Sequence, residues 1–310
     1  MQKRGAWILT GPTAVGKTAV AHRLAEQLGA FVLCADAITV YRGLDVGAAK
    51  PDAKMLAQAS YRGLNLVDPD QTFSVGAYVE EARCAADEAA ASNRPLIIVG
   101  GTGLYISALL RGLDTKADAD PARRAHWESV RKEGGVAALQ EALRKLDAKA
   151  LAALADPNNP RRLIRALERA ESGEVERTWD KRELSPITAL QMEPALLRAH
   201  IEIRAHEMFG SGLVEEAARI RKTWPALSPT ASKAIGYAEA FAVLDGVLTP
   251  LEAIARTAQR TWQLARRQMT WFRHQLPVSW LPVTEETKLN ELAAAVRRQW
   301  EQDGPSNIHI

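Results

Sequence analysis

The residues with the clearest chemical potential lie close together near the amino terminus. In chain order they are Gly11, Pro12, Thr13, Ala14, Val15, Gly16, Lys17 and Thr18. Their spacing, G-x-x-x-x-G-K-[ST], is typical of a loop whose backbone N–H groups bind phosphate at the positive end of a helix. The lysine adds a mobile positive charge, and the Thr18 hydroxyl can hold a magnesium ion. The sequence therefore predicts a diphosphate site without indicating which diphosphate; a turn with a chance lysine is the alternative.

Asp36 is the second candidate for chemistry. It follows an apolar run, 31–35, of the kind found in strands that are buried on both faces of a parallel sheet. Because ligands of open α/β sheets lie outside the carboxyl ends of the strands, we expect Asp36 near the phosphate loop. A carboxylate there can hold a metal through water or accept a proton from a nucleophile. A helix cap or turn residue is the other interpretation.

Arginine is concentrated in two later segments, and its planar guanidinium suits phosphate groups and bases. The first, 158–165, begins a predicted helix and contains Arg161, Arg162 and Arg165. The second is a predicted helix over 251–275, with no acidic residue after Glu252. Four of its side chains share one stripe: Arg256, Arg260, Gln263 and Arg267. Solvated faces usually balance their charges, so we expect nucleic-acid phosphate here, with an ordinary exposed arginine face as the alternative.

Single residues in the carboxyl-terminal half are more ambiguous. Arg204 ends a predicted strand and could reach the same anion as Lys17, or it could form a surface ion pair. His200 has no carboxylate or cysteine partner at a metal spacing and is interpreted as structural. Three aromatic residues interleave with the arginines and could stack on bases, although such residues more often lie in a core: Trp262, Trp271 and Phe272.

The elements that must position these residues alternate between strand and helix. An apolar strand over 6–9 precedes the phosphate loop, a helix over 17–28 follows it, and a helix capped by Ser74 precedes a strand over 94–99. The residues that follow this strand are Gly100-Gly101-Thr102-Gly103. P-loop ATPases have an acidic residue at this place that holds magnesium, so the sequence favours ATP hydrolysis less. The pattern predicts an α/β fold with a P-loop NTPase-like parallel sheet flanked by helices.

Residues 116–199 show no convincing strand and predict an all-helical insertion domain, with helices near 121–133, 136–146, 148–155 and 159–172. The core would then comprise 1–115 and 200–310. Its second part is predicted to contain a strand after His200, helices over 208–223, 238–244, 251–275 and 287–301, and a strand over 279–283. The tail from Asp303 is expected to be frayed.

Composition narrows the class of protein. The chain has 310 residues, 47% of them hydrophobic, and a net charge of +3, which by itself does not indicate nucleic acid. Its two cysteines form no zinc or disulfide pattern, and no run of eighteen apolar residues occurs. The start of the chain does not resemble a signal sequence. We therefore expect a cytoplasmic protein with no membrane partner.

Motifs along nearly the whole chain together resemble one family, the tRNA dimethylallyltransferases (tRNA isopentenyltransferases). In order they are the phosphate loop, Val40-Tyr41-Arg42-Gly43-Leu44-Asp45-Val46-Gly47, Ala49-Lys50-Pro51, Phe73-Ser74-Val75, Gly100-Gly101-Thr102-Gly103-Leu104-Tyr105, Arg162 with Arg165-Ala166-Leu167-Glu168, Ala234-Ile235-Gly236-Tyr237, and Ala265-Arg266-Arg267-Gln268 with Thr270-Trp271-Phe272-Arg273. The chain resembles the bacterial type, since no cysteine and histidine set of a zinc finger follows Trp280.

The resemblance implies transfer of a dimethylallyl group from dimethylallyl diphosphate to the N6 amine of the adenosine 3′-adjacent to the anticodon, in tRNAs that read codons beginning with U. It implies Mg2+, held by Thr18, and a monomer that grips the tRNA anticodon stem-loop. Asp36 would accept the proton, and Lys17, the loop amides and Arg204 would stabilise the leaving diphosphate. The residues implied to contact tRNA are Asp36, Ala37, Ile38, Thr39, Thr102, Arg124, Arg161, Arg162 and Arg165.

Three other functions are compatible with parts of the sequence. A prenyltransferase acting on free AMP or ADP would have little use for the helical insertion and the arginine-rich helix. A P-loop kinase acting on a small nucleotide-like acceptor would use the insertion as a lid. A non-catalytic RNA-binding protein would retain the loop without turnover.

Overall fold

A computed structural model describes residues 3–112, 120–172 and 184–310. Contacts within the chain separate two compact units. The first, called the core unit here, comprises Met1–Leu113 and Glu183–Ile310. The second, called the helical unit, comprises Asp114–Arg182.

The strands are β1 (Lys3–Thr10), β2 (Phe31–Cys34), β3 (Ser60–Arg62), β4 (Leu96–Val99), β5 (Ile187–Met192), β6 (Val278–Val283) and β7 (Ser306–His309). The helices are α1 (Lys17–Leu28), α2 (Ala53–Gln58), α3 (Val75–Ala91), α4 (Gly103–Arg111), α5 (Pro121–Leu146), α6 (Ala148–Ala153), α7 (Pro160–Ser172), α8 (Pro194–Gly210), α9 (Leu213–Thr223), α10 (Tyr237–Leu244), α11 (Pro250–Gln275) and α12 (Leu289–Asp303).

The sheet of the core unit has the order β3-β2-β4-β1-β5-β6, and all of these pairs are parallel. β7 pairs antiparallel with the first half of β1. Every residue of β2 and β4 is buried, as expected for strands covered on both faces. The predicted parallel sheet flanked by helices is confirmed.

Helices cover the sheet on both faces. One apolar cluster contains residues of α3 and α4 with Phe272, and a second contains residues of α1, α8 and α12. Local signals start and end these helices where predicted: the Ser74 hydroxyl accepts a hydrogen bond from Ala77 N at 3.1 Å, and Gly29 ends α1 with φ of +61°. No helix in the described parts of the chain is long and apolar enough to cross a membrane.

Three predictions about elements are wrong. The insertion does not extend to residue 199 without a strand, because β5 belongs to the sheet of the core unit and lies between β1 and β6. The strand predicted after His200 is helix α8, which begins at Pro194 after the Glu193 carboxylate caps it. The tail predicted to be frayed contains β7, and Ile308 is fully buried. The short strand β3 was not predicted.

The helical unit has its own apolar core. Leu139 and Leu143 of α5 pack with Leu163 and Leu167 of α7. α5 contains a non-helical Gly135 with φ of +67°, where two helices separated by glycines were predicted. The described part of this unit forms α5, α6 and α7 and contains no strand, in agreement with the prediction for this part of the insertion.

Candidate active site

The phosphate loop connects the end of β1 at Thr10 to the start of α1 at Lys17. Gly11 has φ of +133°, and a Cβ atom there would lie 2.5 Å from Leu190 O, so only glycine fits. Gly16 has φ of +95° immediately before the helix. These turns leave the free N–H groups at the start of α1 facing the cleft, where they suit an anion.

The predicted loop residues do not all contribute in the same way. Thr13, Ala14, Gly16, Lys17 and Thr18 line one cleft of about 1060 Å³ in the core unit. Gly11 lies against β5, and the Val15 side chain is buried, with 2% of its surface exposed. These two residues therefore shape the loop, and only their backbone groups could contact a diphosphate.

Lys17 is held inside this cleft. It is half-buried, and its Nζ donates a hydrogen bond to Pro12 O at 2.5 Å. Burial and the nearby Arg204 guanidinium lower the pKa of Lys17 to about 7, while Asp36 opposes the shift. The three charged groups therefore interact within one site. Asp36 was predicted to lie near the phosphate loop, because both follow the carboxyl ends of parallel strands.

Asp36 follows β2 and lines the same cleft. Its Oδ1 accepts a hydrogen bond from Ile38 N at 2.8 Å, which orients the carboxylate. The next residue, Ala37, donates its N–H to Thr102 Oγ1 at 3.1 Å, so Thr102 helps to hold the Asp36 loop. Thr39 is buried, and its hydroxyl contacts Asp36 O and Gly63 O, each at 3.3 Å. The loop is thus braced around Asp36.

Arg204 reaches the cleft from α8 rather than from the end of a strand. Burial lowers the pKa of Arg204, and the neighbouring Asp36 and Glu207 carboxylates oppose that shift. His200 lies one turn earlier on the same helix face and also lines the cleft. Because residues three and four apart share a helix face, α8 presents Arg204 to the cleft between His200 and Glu207.

The rest of the cleft is largely apolar. Ala48, Ala49, Pro51 and Leu64 line it, together with Leu56 of α2 and Ile203 of α8. Leu56 and Ile203 are 45% and 57% exposed, although both are large apolar side chains. A ligand that combines an anionic group with a hydrocarbon chain would satisfy both parts of this surface.

Two polar residues that bound the cleft were not identified from the sequence as site residues. Lys50 Nζ donates hydrogen bonds to Tyr41 O and Asn65 Oδ1 at 2.6 Å and to Asp45 Oδ1 at 2.7 Å, which holds the apolar wall in place. Gln268 of α11 accepts a hydrogen bond from Thr13 N at 2.8 Å. Both lie in the quoted family motifs, which is the signal that could have identified them.

Within the helical unit, the predicted arginines differ. Arg124 forms a two-pronged ion pair with Glu168, at 2.9 and 3.0 Å. Arg161, Arg162 and Arg165 are exposed on α7, and none of them has a carboxylate within 4.0 Å among the residues that the structure describes. These three side chains are available to an anion.

The arginine stripe of α11 is only partly available. Arg260 donates to Glu239 Oε1 at 2.5 Å, so its guanidinium is committed to the core unit. Arg256 and Arg267 are exposed. Phe272 is fully buried, so the favoured interpretation of this aromatic residue as part of the core is confirmed. Trp271 is half-buried against the same core, and Trp262 is covered by the Arg198 guanidinium.

The cleft suits magnesium in one specific way. No group of three His, Cys, Asp or Glu side chains in the described ranges could hold a metal by itself. Mg2+ commonly keeps several waters and takes one or two protein ligands together with phosphate oxygens. The exposed hydroxyl of Thr18, at the start of α1, fits that demand as a single protein ligand.

Comparisons with known proteins agree with one another. A family model described as IPP transferase matches residues 39–275, and one described as isopentenyl transferase matches residues 4–66. The tRNA dimethylallyltransferase of Rhodopirellula baltica is 39% identical over 283 residues, covering 86% of this chain and 84% of its own. That of a Roseiflexus species is 37% identical over 299 residues, covering 94% and 97%.

Solved structures show the same relationship. The tRNA isopentenylpyrophosphate transferase of Bacillus halodurans is 32% identical and aligns over 97% of this chain and 98% of its own, with a TM-score of 0.68. A eukaryotic dimethylallyltransferase acting on tRNA aligns over 98% of this chain and 81% of its own, with a TM-score of 0.81. At 19% identity, this second structure supports the fold alone.

Proposed function

The chain belongs to the IPP transferase family of tRNA dimethylallyltransferases, and on that premise we propose the reaction that its cleft performs. The dimethylallyl group passes from dimethylallyl diphosphate to the N6 amine of the adenosine 3′-adjacent to the anticodon, in tRNAs that read codons beginning with U. Diphosphate is released. The proposal includes a monomeric enzyme that acts in the cytoplasm on the anticodon stem-loop of tRNA.

One observation carries this proposal: a single cleft holds Lys17, Arg204 and Asp36 beside an apolar wall. The cations and the phosphate loop suit the diphosphate, and the apolar wall suits the five-carbon chain. Asp36 supplies a carboxylate that could accept a proton from an amine. A kinase site would not need an exposed apolar wall next to its phosphate loop.

The proposed step is a substitution at the allylic carbon. The N6 lone pair forms the new C–N bond, the C–O bond to diphosphate breaks, and its electron pair leaves with the diphosphate oxygen. The N6 proton passes to Asp36, and its Oδ1 contact with Ile38 N leaves Oδ2 to receive it. Lys17, Arg204 and the N–H groups at the start of α1 stabilise the charge that develops on the diphosphate.

Magnesium and tRNA complete the proposal. Thr18 would hold Mg2+, whose positive charge, when the ion is bound, would stabilise the negative charge of the leaving diphosphate. The adenine must leave its stack to enter the cleft, at a cost of a few kcal/mol. Contacts of tRNA with the Asp36 loop, Thr102 and the helical unit would offset this cost. In the helical unit, the arginines proposed to contact tRNA are Arg124, Arg161, Arg162 and Arg165.

The proposal is tested by incubating the protein with Mg2+, labelled dimethylallyl diphosphate and an unmodified tRNA that has consecutive adenosines beside the anticodon. We expect the label on the adenosine 3′-adjacent to the anticodon, and none when that adenosine is replaced by guanosine. Excess AMP and ADP should not compete. Labelled AMP would indicate the free-nucleotide enzyme. Thermal protection by ATP and Mg2+ but not by the prenyl donor would indicate a kinase.

A further inference from the structure

Gln268 joins two separate turns of the core unit. It lies in α11, is half-buried and lines the cleft. Its Oε1 accepts a hydrogen bond from Thr13 N at 2.8 Å, and its Nε2 donates one to Gly101 O at 3.1 Å. Thr13 belongs to the phosphate loop, and Gly101 belongs to the turn that follows β4. One side chain therefore spans the gap between both turns.

The second turn is fitted tightly to this side chain. A Cβ atom on Gly101 would lie 2.3 Å from Gln268 Nε2, so glycine permits the contact. A Cβ atom on Gly100 would lie 2.1 Å from Ala35 O, which presses the turn against the end of β2. Such close approaches leave the turn little freedom to shift.

The same turn holds the Asp36 loop. Thr102 follows Gly101 and donates its N–H to Ala35 O at 3.0 Å. Its Oγ1 accepts the N–H of Ala37, the residue after Asp36, at 3.1 Å. A continuous set of polar contacts therefore runs from Thr13 through Gln268 to the loop that presents the Asp36 carboxylate.

We propose that Gln268 is a positioning residue that sets the separation between the diphosphate loop and Asp36. The inference rests on the proposed function. Substitution at carbon requires the reacting atoms to lie about 3 to 3.5 Å apart, and a misplacement of about 1 Å can reduce the rate about 100-fold. Gln268 itself touches no reacting atom; it acts through Thr13 and Gly101.

Two variants of Gln268 test whether its hydrogen bonds position the two turns or whether the side chain only fills space. Gln268→Met keeps the length of the side chain and removes both hydrogen bonds. Gln268→Glu keeps an acceptor for Thr13 N but has no donor for Gly101 O. The matched control is Gln259→Ala, which alters an exposed glutamine on the same helix. Each protein is compared with the wild type in single-turnover transfer, tRNA affinity and Tm.

We expect both Gln268 variants to transfer the prenyl group at least about tenfold more slowly at saturating substrate concentrations. Their tRNA affinities should stay within twofold of the wild type, and the control should match the wild type in rate. A second readout follows from the misplaced amine: water would capture more of the donor, so dimethylallyl alcohol should form at the expense of modified tRNA. A merely structural contact would lower Tm and the active fraction without changing this product ratio.

The inference is overturned if Gln268→Met transfers within threefold of the wild-type rate with an unchanged product ratio. It is also overturned if rate, tRNA affinity and Tm fall together in both variants. Failure of the proposed function looks different, because the wild-type protein itself would then label no tRNA.

Discussion

We expect Lys17 to make binding of the proposed donor depend on pH. Burial and the Arg204 guanidinium hold the pKa of Lys17 at about 7 in the free protein, so the amine is mostly neutral at pH 8. A bound diphosphate favours the ammonium form and raises that pKa. Binding above pH 7 must therefore take up a proton, and donor affinity should fall by up to about tenfold per pH unit above 7.

Calorimetric titration of the donor in two buffers with different ionisation enthalpies measures this proton uptake. We expect nearly one proton per donor at pH 8 and far less at pH 6. In Lys17→Met the affinity should be lower and the uptake at pH 8 should disappear. Equal uptake in wild type and variant would assign the proton to another group.

Glu216 is a second residue whose role can be tested alone. It is buried, and its carboxylate accepts hydrogen bonds from the N–H groups of Asp45 and Val46 and from the Tyr237 hydroxyl. In Glu216→Gln one acceptor oxygen becomes a donor that faces other donors. The free energy of unfolding should fall by about 1–3 kcal/mol.

Denaturant unfolding measures this loss, and Glu215→Gln, which changes the exposed neighbour, is the matched control. Because the loop held by Glu216 continues into the apolar wall at Ala48 and Ala49, donor affinity should fall as well. A Glu216→Gln protein as stable as the control would show that this carboxylate does not hold the loop.

The sequence was sufficient to place those site residues whose positions follow from the order of strands and loops along the chain. Lys17 and Asp36 follow strands of one parallel sheet, so their shared cleft could be inferred from the chain order alone. Gln268 could not be placed in this way, since its partners Thr13 and Gly101 lie far away in the chain. The inward orientation of Thr39 likewise depends on Gly63, a tertiary contact that no local pattern reveals.

At the level of elements, the errors fall on short segments. β5 has only six residues and follows a helical region, so periodicity did not distinguish it from a helix. The sequence pattern predicted a strand and a separate helix in place of α8, because the apolar residues of this helix are spread around its circumference and show no clear helical period. β7 has four residues with mixed polarity, and its pairing with β1 depends on a strand some 300 residues away in the chain.

The docking of β7 on β1 can be tested by mutation. Ile308 is fully buried in the apolar cluster that contains residues of α3 and α4, whereas Asn307 on the same strand is exposed. Ile308→Ala should lower the free energy of unfolding by about 2–5 kcal/mol, since it removes buried apolar surface and leaves a cavity. Asn307→Ala should change it by less than about 0.5 kcal/mol. Equal, small effects in thermal or denaturant unfolding would contradict a docked terminal strand.

Charge is distributed unevenly over the protein. The net charge is only +3, yet Arg161, Arg162 and Arg165 form an exposed face on α7. If this face contacts tRNA phosphates, the affinity should fall steeply with salt. Replacing all three arginines by glutamine should reduce the slope of log K against log salt by about 0.7–0.9 per lost contact.

Filter binding of tRNA between low and moderate salt measures this slope. Arg144→Gln is the matched control, since Arg144 is an exposed arginine of the same unit that already pairs with Glu141. Donor affinity should depend less on salt than tRNA affinity does. An unchanged slope in the triple variant would remove the α7 face from the tRNA interface.

The central claim is that the cleft brings a diphosphate donor and the Asp36 carboxylate to the same reacting amine. Single-turnover transfer by Asp36→Asn, with donor and tRNA both saturating, tests it most directly, and Asp70→Asn, an exposed aspartate, is the control. We predict that, with both substrates saturating, the Asp36 variant transfers the prenyl group about 10²–10⁴ times more slowly than the wild type. Transfer by Asp36→Asn within threefold of the wild-type rate would contradict the account.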